Sequence, residues 1–359
     1  MDAPADVPVW ASPNYDPSIP SPVLIYLHRF GPFGGTAVSE EESWVGLWPS
    51  SADAFGTFTG LRDRVVASDV GSTGWLYVLP NGAIDPTNAC GDPSIPGQRY
   101  WNAFDDCCAF NYMDGSTTGL TAGAPDHVTY INDLIRHLKH EYNVDPDRIH
   151  LFGYSSGGFL AHRMACQNGD IDFFAPEAPE LIAGIASYAG CSGTSPTECE
   201  GVVPVNVLTV HDRGDESVLY AGGLATLAFA CWPDYPRFHA GALTTVANWI
   251  FHNETDGAGE ELDSLSPLDL NVPFSVAQNT RWSHGRLGSI VQHLSGNKGS
   301  HEPTLSMSFR TFLIDWYRDH PRPGSRAPND QACNADLNGD GVVDGADLGI
   351  MLGAWGMCP

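Results

Sequence analysis

The chain has 359 residues, of which 42% are hydrophobic and only 17% are charged. This composition is typical of a folded protein with a sizeable core and excludes a disordered chain. Acidic residues outnumber Lys and Arg by 43 to 17, for a formal charge of −26, which excludes bulk electrostatic attraction to nucleic acid or to an anionic membrane. No apolar run approaches the roughly 18 residues that a membrane span requires, so no membrane span is expected.

The first 22 residues are rich in Pro, Asp and Ser and contain neither the basic region nor the apolar segment of a signal peptide. The chain has nine cysteines, which favour an oxidising compartment. We therefore expect a secreted or cell-surface protein from which a signal peptide has been removed, with residues 1–22 as an N-terminal extension.

Six short apolar runs, each followed by a turn signal, predict strands at residues 23–27, 75–79, 149–152, 181–188, 205–210 and 290–294. Continuous apolar runs of this kind are typical of parallel strands that are buried on both faces. Helical patterns lie between several of them, and two are clear: a helix capped by Asp126, and a later apolar stripe over residues 309–316. Strands alternating with helices predict a doubly wound, mostly parallel α/β sheet over residues 23–320.

Two further segments carry predictions. The sequence Asp145-Pro146-Asp147 predicts a turn between the first helix and the strand that follows it. Residues 212–289 show less regular patterning, and their acidic stretch and prolines predict inserted loops near the mouth of a site.

The sequence Gly153-Tyr154-Ser155-Ser156-Gly157 matches the pattern G-x-S-x-G, with a predicted strand before it and a helical pattern after it. In that context the glycines allow a sharp turn that holds a strained serine at the strand end. We therefore predict Ser155 as a nucleophile, with Ser156 as the alternative. The backbone N–H of Ser156 is expected to help bind an oxyanion.

An activated serine needs a histidine base and a carboxylate that orients it, and with this motif they follow in the order Ser, Asp, His. A predicted strand end carries Asp215, the preferred acid, and Asp212, which stays an open alternative. His301 follows the last predicted strand through a glycine-rich loop and is the preferred base. His293 is expected to point into packing, and nothing about the position of His284 favours it.

The loop after the first apolar strand is expected to supply a second oxyanion donor, the backbone N–H of Phe30. His28 is expected to be a hydrogen-bonded residue that holds this loop. Side chains predicted to contact substrate are Arg29, Trp101, Tyr154 and Trp232.

Residues 321–332 have the composition of a linker, and residues 333–359 form a separate unit. Oxygen ligands at EF-hand spacing predict a structural Ca²⁺ site in it, in which Val342 offers its carbonyl. The predicted ligands are Asp336, Asn338, Asp340, Val342, Asp344 and Asp347. A flexible acidic tail is the alternative. Cys333 and Cys358 bracket the unit.

These motifs and their neighbours resemble the polyhydroxybutyrate depolymerase and feruloyl esterase group of α/β-hydrolases. The matching signatures are Leu79-Pro80-Asn81-Gly82, Tyr100-Trp101-Asn102, Cys107-Cys108, Asp126-His127-Val128, residues 144–149, residues 153–158 and Gly299-Ser300-His301. The resemblance implies a triad of Ser155, Asp215 and His301, and hydrolysis of polymeric or small carboxylic esters with no cofactor. Members usually have His-Gly where this chain has His28-Arg29, which bears on the substrate class.

The C-terminal unit resembles one repeat of a dockerin-type module, which implies a cohesin-like or cell-surface partner. Two other functions remain open: a serine peptidase of the prolyl-oligopeptidase type, and a non-catalytic Ca²⁺-dependent scaffold. Cys191 and Cys199 are close enough in sequence to close a short loop, and two further bridges are expected among Cys90, Cys107, Cys108 and Cys166.

Overall fold

The computed structural model describes residues 1–30, 61, 74–84, 99–104, 107–108, 124–169, 180–193, 199, 203–224 and 238–325. The chain divides into two units, Met1–Pro323 and Gly324–Pro359. The predicted calcium ligands and Trp232 lie outside the described residues, so those predictions stay as they were made.

A nine-stranded sheet forms the centre of the first unit, with strand order β1-β3-β2-β6-β7-β8-β13-β12-β11. Its strands are β1 (Val9–Ala11), β2 (Ser21–Leu27), β3 (Leu76–Val78), β6 (Val144–Tyr154), β7 (Gly184–Tyr188), β8 (Asn206–Asp212), β11 (Glu260–Leu265), β12 (Ala277–Trp282) and β13 (Val291–Gly296). The strands β4 (Ala83–Ile84) and β5 (Arg99–Tyr100) pair with each other, as do β9 (Gly223–Leu224) and β10 (Phe238–His239). The strands from β3 to β13 in this order run parallel, and the outer strands pair antiparallel. The predicted mostly parallel sheet is confirmed.

Helices cover both faces of the sheet. They are α1 (His127–Glu141), α2 (Ser156–Cys166), α3 (Ala242–Asn253) and α4 (Met307–Asp319). Alternate residues of β2 show the layering: Val23 and Ile25 pack into the core beneath α1, α2 and α3, whereas Leu24 and Tyr26 pack into the core that contains α4. Helices on both faces explain the continuous apolar runs of the central strands. None of the helices among the described residues has the length and apolarity needed to cross a bilayer.

The first predicted helix begins where its capping residue indicates. The carboxylate of Asp126 accepts a hydrogen bond from the backbone N–H of Thr129 at 3.0 Å, and α1 follows directly. A carboxylate at this position satisfies a donor that the first helical turn leaves unpaired.

The predicted turn at residues 145–147 lies inside β6. Ser21 of β2 pairs with Val144 of β6, and Val23, two residues later, pairs with Ile149, five residues later. Strand β6 therefore has extra residues between these two pairs. The carboxylate of Asp145 accepts from the backbone N–H of Asp147 at 3.0 Å, as in a local turn. The turn signal therefore marks an irregular stretch within a strand.

The segment expected to consist of loops also contains helix α3 and the edge strands β11 and β12. Their side chains are unlike those of the central strands, because β11 exposes most of its residues to solvent. An edge strand with acidic side chains has no continuous apolar run. The sequence therefore indicated the loops of residues 212–289 but not the edge strands and the helix that lie among them.

Cysteine pairing differs from the sequence expectation in two respects: Cys199 does not pair with Cys191, and Cys166 does not pair within the group of Cys90, Cys107 and Cys108. Cys199 pairs with Cys166, the last residue of α2, where the Cα atoms are 4.5 Å apart. Cys107 pairs with Cys108. Cys191 is buried and unbridged, so the expected bridge between Cys191 and Cys199 is wrong. A disulfide requires Cα atoms a few ångströms apart, and the fold brings Cys166, not Cys191, to this distance from Cys199.

Candidate active site

Ser155 lies at the turn between the carboxyl end of β6 and the start of α2. Its backbone has φ of 52° and ψ of −118°, a conformation that costs a non-glycine residue about 1–3 kcal/mol. Its backbone N–H donates to the carbonyl of Tyr188 on β7 at 2.8 Å. Only 8% of the residue is exposed. The fold therefore holds a strained serine at one fixed position above the sheet.

The two glycines of the motif are required by close backbone approaches. A Cβ on Gly153 would overlap the carbonyl of Gly157, and a Cβ on Gly157 would overlap the carbonyl of Leu27 at the end of β2. The first turn of α2 therefore crosses the ends of β2 and β6 with no room for a side chain. This crossing directs the serine away from the sheet edge, as expected for this turn.

Ser155, His301 and Asp215 form one hydrogen-bonded chain. His301 Nδ1 lies 2.8 Å from Asp215 Oδ2, and His301 Nε2 lies 2.8 Å from Ser155 Oγ. Because a carboxylate accepts only, Nδ1 carries the proton and Nε2 accepts from the serine hydroxyl. This is the tautomer that a general base needs in order to remove the serine proton.

Asp215 is held rigidly and in its charged form. Its other oxygen, Oδ1, accepts from the backbone N–H groups of Ser217 and Val218, each at 2.8 Å. Burial raises the pKa of this carboxyl, but hydrogen bonds from His211 and His301 and favourable electrostatic interactions with these rings outweigh burial and hold the pKa well below its usual value. The contact with His211 was not anticipated from the sequence, where its only signal is a histidine four residues before the acid.

The alternative acid and nucleophile have other partners. Asp212 accepts from the backbone N–H of Gly214 at 2.7 Å. The hydroxyl of Ser156 lies 3.5 Å from the carbonyl of His28, to which it donates. The described contacts of His301 thus go to Asp215 and Ser155 rather than to these two residues.

The alternative histidines also lie elsewhere. His293 is buried on β13, where it hydrogen-bonds to Thr209 at 2.7 Å and to Tyr220 at 3.0 Å, as its predicted place in packing requires. His284 is exposed and paired with Asp256 at 2.6 Å.

His28 organises the loop that follows β2. Its Nε2 accepts from the backbone N–H of Gly82 at 3.0 Å, so the proton is on Nδ1, which donates to the carbonyl of Arg29 at 2.6 Å. Burial lowers the pKa of His28 to about 4, so the ring is neutral at pH 7. The indole N–H of Trp101 donates to the carbonyl of His28 at 2.9 Å.

This arrangement orients the peptide group before Phe30. A trans peptide is planar, with its C=O and N–H pointing in opposite directions. Because the His28 ring binds the carbonyl of Arg29, the N–H of Phe30 points away from that ring. Ser156 begins α2, where the helix itself leaves backbone N–H groups without acceptors.

The side chain of Arg29 pairs with Glu302, the residue after His301. The side chain of Arg29 is 17% exposed and that of Glu302 is 47% exposed. The pair connects the loop after β2 to the loop that carries His301. A contact of Arg29 with substrate stays a prediction.

Trp101 and Tyr154 lie in the interior and not on the surface of a groove, contrary to expectation. Trp101 has no exposed surface and packs on the ring of His28. Tyr154 is 1% exposed, and its hydroxyl donates to the carbonyl of His301 at 2.6 Å. Both support loops that carry site residues, because a large aromatic ring with one polar atom suits a buried position with a single acceptor.

In the part of the chain that the structure describes, no group of three or more His, Cys, Asp or Glu side chains is placed to hold a metal ion.

The candidate triad lies at the edge of the sheet where the carboxyl ends of the parallel strands meet, and β2 and β6 are the neighbours at which strand order reverses. Such a switch point is where open α/β sheets bind ligands. The sheet, the strained serine and the order of Ser155, Asp215 and His301 define an α/β-hydrolase-like fold.

Comparison with known proteins finds esterases. No family model matches the chain. A poly(3-hydroxybutyrate) depolymerase of Ralstonia pickettii is 24% identical over 240 residues, 62% of this chain and 46% of the relative. Feruloyl esterase B of Piromyces equi is 27% identical over 164 residues, 43% of this chain and 28% of the relative. The chain thus spans less than half the length of these relatives. Among solved structures, an acetyl xylan esterase from Aspergillus awamori aligns over 89% of this chain and 96% of its own, with a TM-score of 0.46 and 12% identity.

Proposed function

We propose that this protein is a secreted serine hydrolase that cleaves carboxylic esters through an acyl-enzyme. The observation that carries the proposal is the chain of hydrogen bonds from Ser155 through His301 to Asp215, which begins at a serine with positive φ. Similarity to the depolymerase and the feruloyl esterase supports an ester as the substrate.

The reaction proceeds in two acyl transfers. His301 Nε2 removes the proton of Ser155 as Oγ attacks the ester carbonyl carbon, and Asp215 stabilises the imidazolium that forms. The backbone N–H groups of Phe30 and Ser156 bind the oxyanion. The proton then passes to the leaving alcohol. Water, activated by His301, attacks the acyl-enzyme and releases the carboxylic acid and the free serine.

The substrate class that we propose is a polyhydroxyalkanoate-type polyester or a feruloylated or acetylated polysaccharide. The names of the two sequence relatives support these classes. The ion pair of Arg29 and Glu302 joins the neighbours of Phe30 and His301 in the chain, so we expect it to influence which substrate the site accepts.

Hydrolysis of a short-chain p-nitrophenyl ester by the wild type and by Ser155→Ala tests the reaction. We expect kcat to fall by about 10³-fold or more in the variant, because removal of a nucleophile leaves only binding and oxyanion stabilisation. Ser18→Ala, at an exposed serine bonded to Asp16, is the control and should keep full activity. Equal activity in wild type and Ser155→Ala would overturn the role of Ser155.

Methyl ferulate, acetylated xylan and amorphous polyhydroxybutyrate, assayed in parallel, assign the class through the ratio of their kcat/KM values. A wild-type enzyme that cleaves none of these esters, including the p-nitrophenyl ester, would overturn the proposal as a whole.

A further inference from the structure

A second buried histidine, His211, lies close to the carboxylate of Asp215 in addition to His301. His211 lies on β8, and its side chain is 2% exposed, while that of Asp215 is 1% exposed. His211 Nε2 is 3.4 Å from Asp215 Oδ2, the same oxygen that lies 2.8 Å from His301 Nδ1. One carboxylate oxygen therefore faces two imidazole rings.

The hydrogen bonds of His211 show where one of its protons is. Nε2 lies 2.7 Å from the backbone carbonyl of Val218. A carbonyl accepts only, so Nε2 carries a proton whichever charge the ring has. This N–H donates to the Val218 carbonyl, and the Asp215 carboxylate lies 3.4 Å from the same nitrogen. Nδ1 is buried and has no hydrogen-bond partner among the described residues, so the surrounding charges determine whether it carries a second proton.

The groups around His211 decide its charge. The ring of Tyr220 contacts it edge-on at 5.6 Å, with Arg213 over the other side of that tyrosine. The Cys191 thiol and His239 lie 3.6 Å apart nearby. The carboxylate of Asp212 lies at the end of the same strand, and His293 lies beyond Tyr220.

Of these neighbours, the two histidines are neutral at pH 7. Burial lowers the pKa of His239 to about 4 and that of His293 to about 3. Burial also acts to lower the pKa of His211. The hydrogen bond with Asp215, the charge of that carboxylate and the contact with Cys191 outweigh burial and raise the pKa of His211. The buried Asp215 is thus the partner that makes a cation at His211 favourable.

We propose that His211 is a positively charged positioning residue, which holds Asp215 in place through its contact with Oδ2 and disfavours a second proton on His301. The inference rests on the proposed function, since it assigns His211 a part in keeping the base unprotonated. Two like charges that share one carboxylate oxygen repel each other, so a charged His211 keeps His301 in its proton-accepting form at lower pH.

Replacement of the cation by a neutral donor tests the proposal. His211→Gln keeps an N–H in reach of the Val218 carbonyl and removes the charge. The acidic midpoint in the pH profile of kcat/KM should move upward by about 1 pH unit, as expected when a nearby like charge is removed, while activity above that midpoint changes far less. His293→Gln is the matched control, because His293 is a buried neutral histidine bonded to Tyr220 and Thr209, and it should leave the midpoint in place.

A merely structural His211 would lower activity at every pH without moving the midpoint, and that result overturns the proposal. A midpoint that moves equally in both variants also overturns it.

The charge of His211 is measurable without turnover or substitution. In wild-type protein labelled with ¹⁵N-histidine, the His211 resonances are assigned through contacts to Tyr220 and Val218. Both ring nitrogens should be protonated at pH 7, and a neutral ring would overturn the proposal. If the wild type proves inactive on esters while His211 is an imidazolium, the proposed function fails and the charge assignment stands.

Discussion

At the scale of single residues, the site depends on buried histidines whose protonation the fold controls in opposite directions. His28 is neutral because its Nε2 must accept from Gly82 and no carboxylate contacts its ring among the described hydrogen bonds. His211 faces Asp215 and gains from a positive charge. Partner type, and not burial alone, therefore determines the charge of each ring.

Acid is expected to destabilise the protein through its neutral buried histidines. Burial lowers the pKa of His28 to about 4 and that of His127 to about 3, whereas an unfolded histidine titrates near 6.5. Below pH 6.5 the unfolded state binds protons that the folded state does not. Stability is thus fully present above pH 6.5 and is lost as the pH falls, by about 3 kcal/mol for His28 alone by pH 4.

Urea unfolding followed at pH 7, 6 and 5 measures this loss. The buried carboxyls of Asp212 and Asp269, whose pKa burial raises, act in the opposite direction, since they take up protons more readily in the folded state. A free energy of unfolding that stays constant or rises from pH 7 to pH 5 would contradict neutral burial of the two histidines.

At the scale of elements, the contact of α2 with the ends of β2 and β6 fixes the position of Ser155, the candidate nucleophile, relative to the loop after β2. Phe30 follows β2, and Ser156 opens α2. Helix α2 approaches the carbonyl of Leu27 without an intervening side chain, and the proposed oxyanion site depends on this approach. Gly157 is therefore required because a side chain would not fit between α2 and β2, and not because the backbone must be flexible there.

Gly157→Ala should separate α2 from β2, because the new Cβ would overlap the Leu27 carbonyl, a backbone atom that has no rotamer to change. We expect a loss of about 1–3 kcal/mol in the free energy of unfolding, typical of overpacking, and a fall of more than tenfold in kcat. Gly257→Ala is the control, since nothing lies within 4 Å of its Cβ position. Equal stability and activity of the two variants would show that the close approach is unimportant.

At the scale of the whole molecule, the chain combines an α/β-hydrolase-like unit with a C-terminal unit for which the sequence predicts Ca²⁺ binding. A segment of 27 residues, 333–359, has too little core to be stable alone. A bound ion stabilises the folded form by mass action, so the two units are expected to differ in their response to chelation.

Calorimetric melting of the full chain with Ca²⁺ and with EDTA tests the predicted site. EDTA should lower the Tm of a small transition, and Asp340→Ala should lower it in the presence of Ca²⁺ as well. Asp330→Ala, in the predicted linker, is the matched control and should melt like the wild type. Melting curves that EDTA leaves unchanged would contradict the calcium prediction.

The sequence by itself indicated the central strands, the helix after Asp126 and two members of the candidate triad, Ser155 and His301. Each of these rests on a local pattern: an apolar run, a capping carboxylate, a glycine-flanked serine at a strand end, or a histidine in the glycine-rich loop after the last strand. Only the tertiary structure decided between Asp215 and Asp212, which lie three residues apart, Asp212 at the end of β8 and Asp215 in the loop that follows. It also placed Trp101 and Tyr154 inside, paired Cys199 with Cys166 and brought His211 against Asp215. These are contacts between segments distant in the chain or between the two ends of a turn, and their geometry depends on how strands and helices pack, which no local pattern of residues encodes.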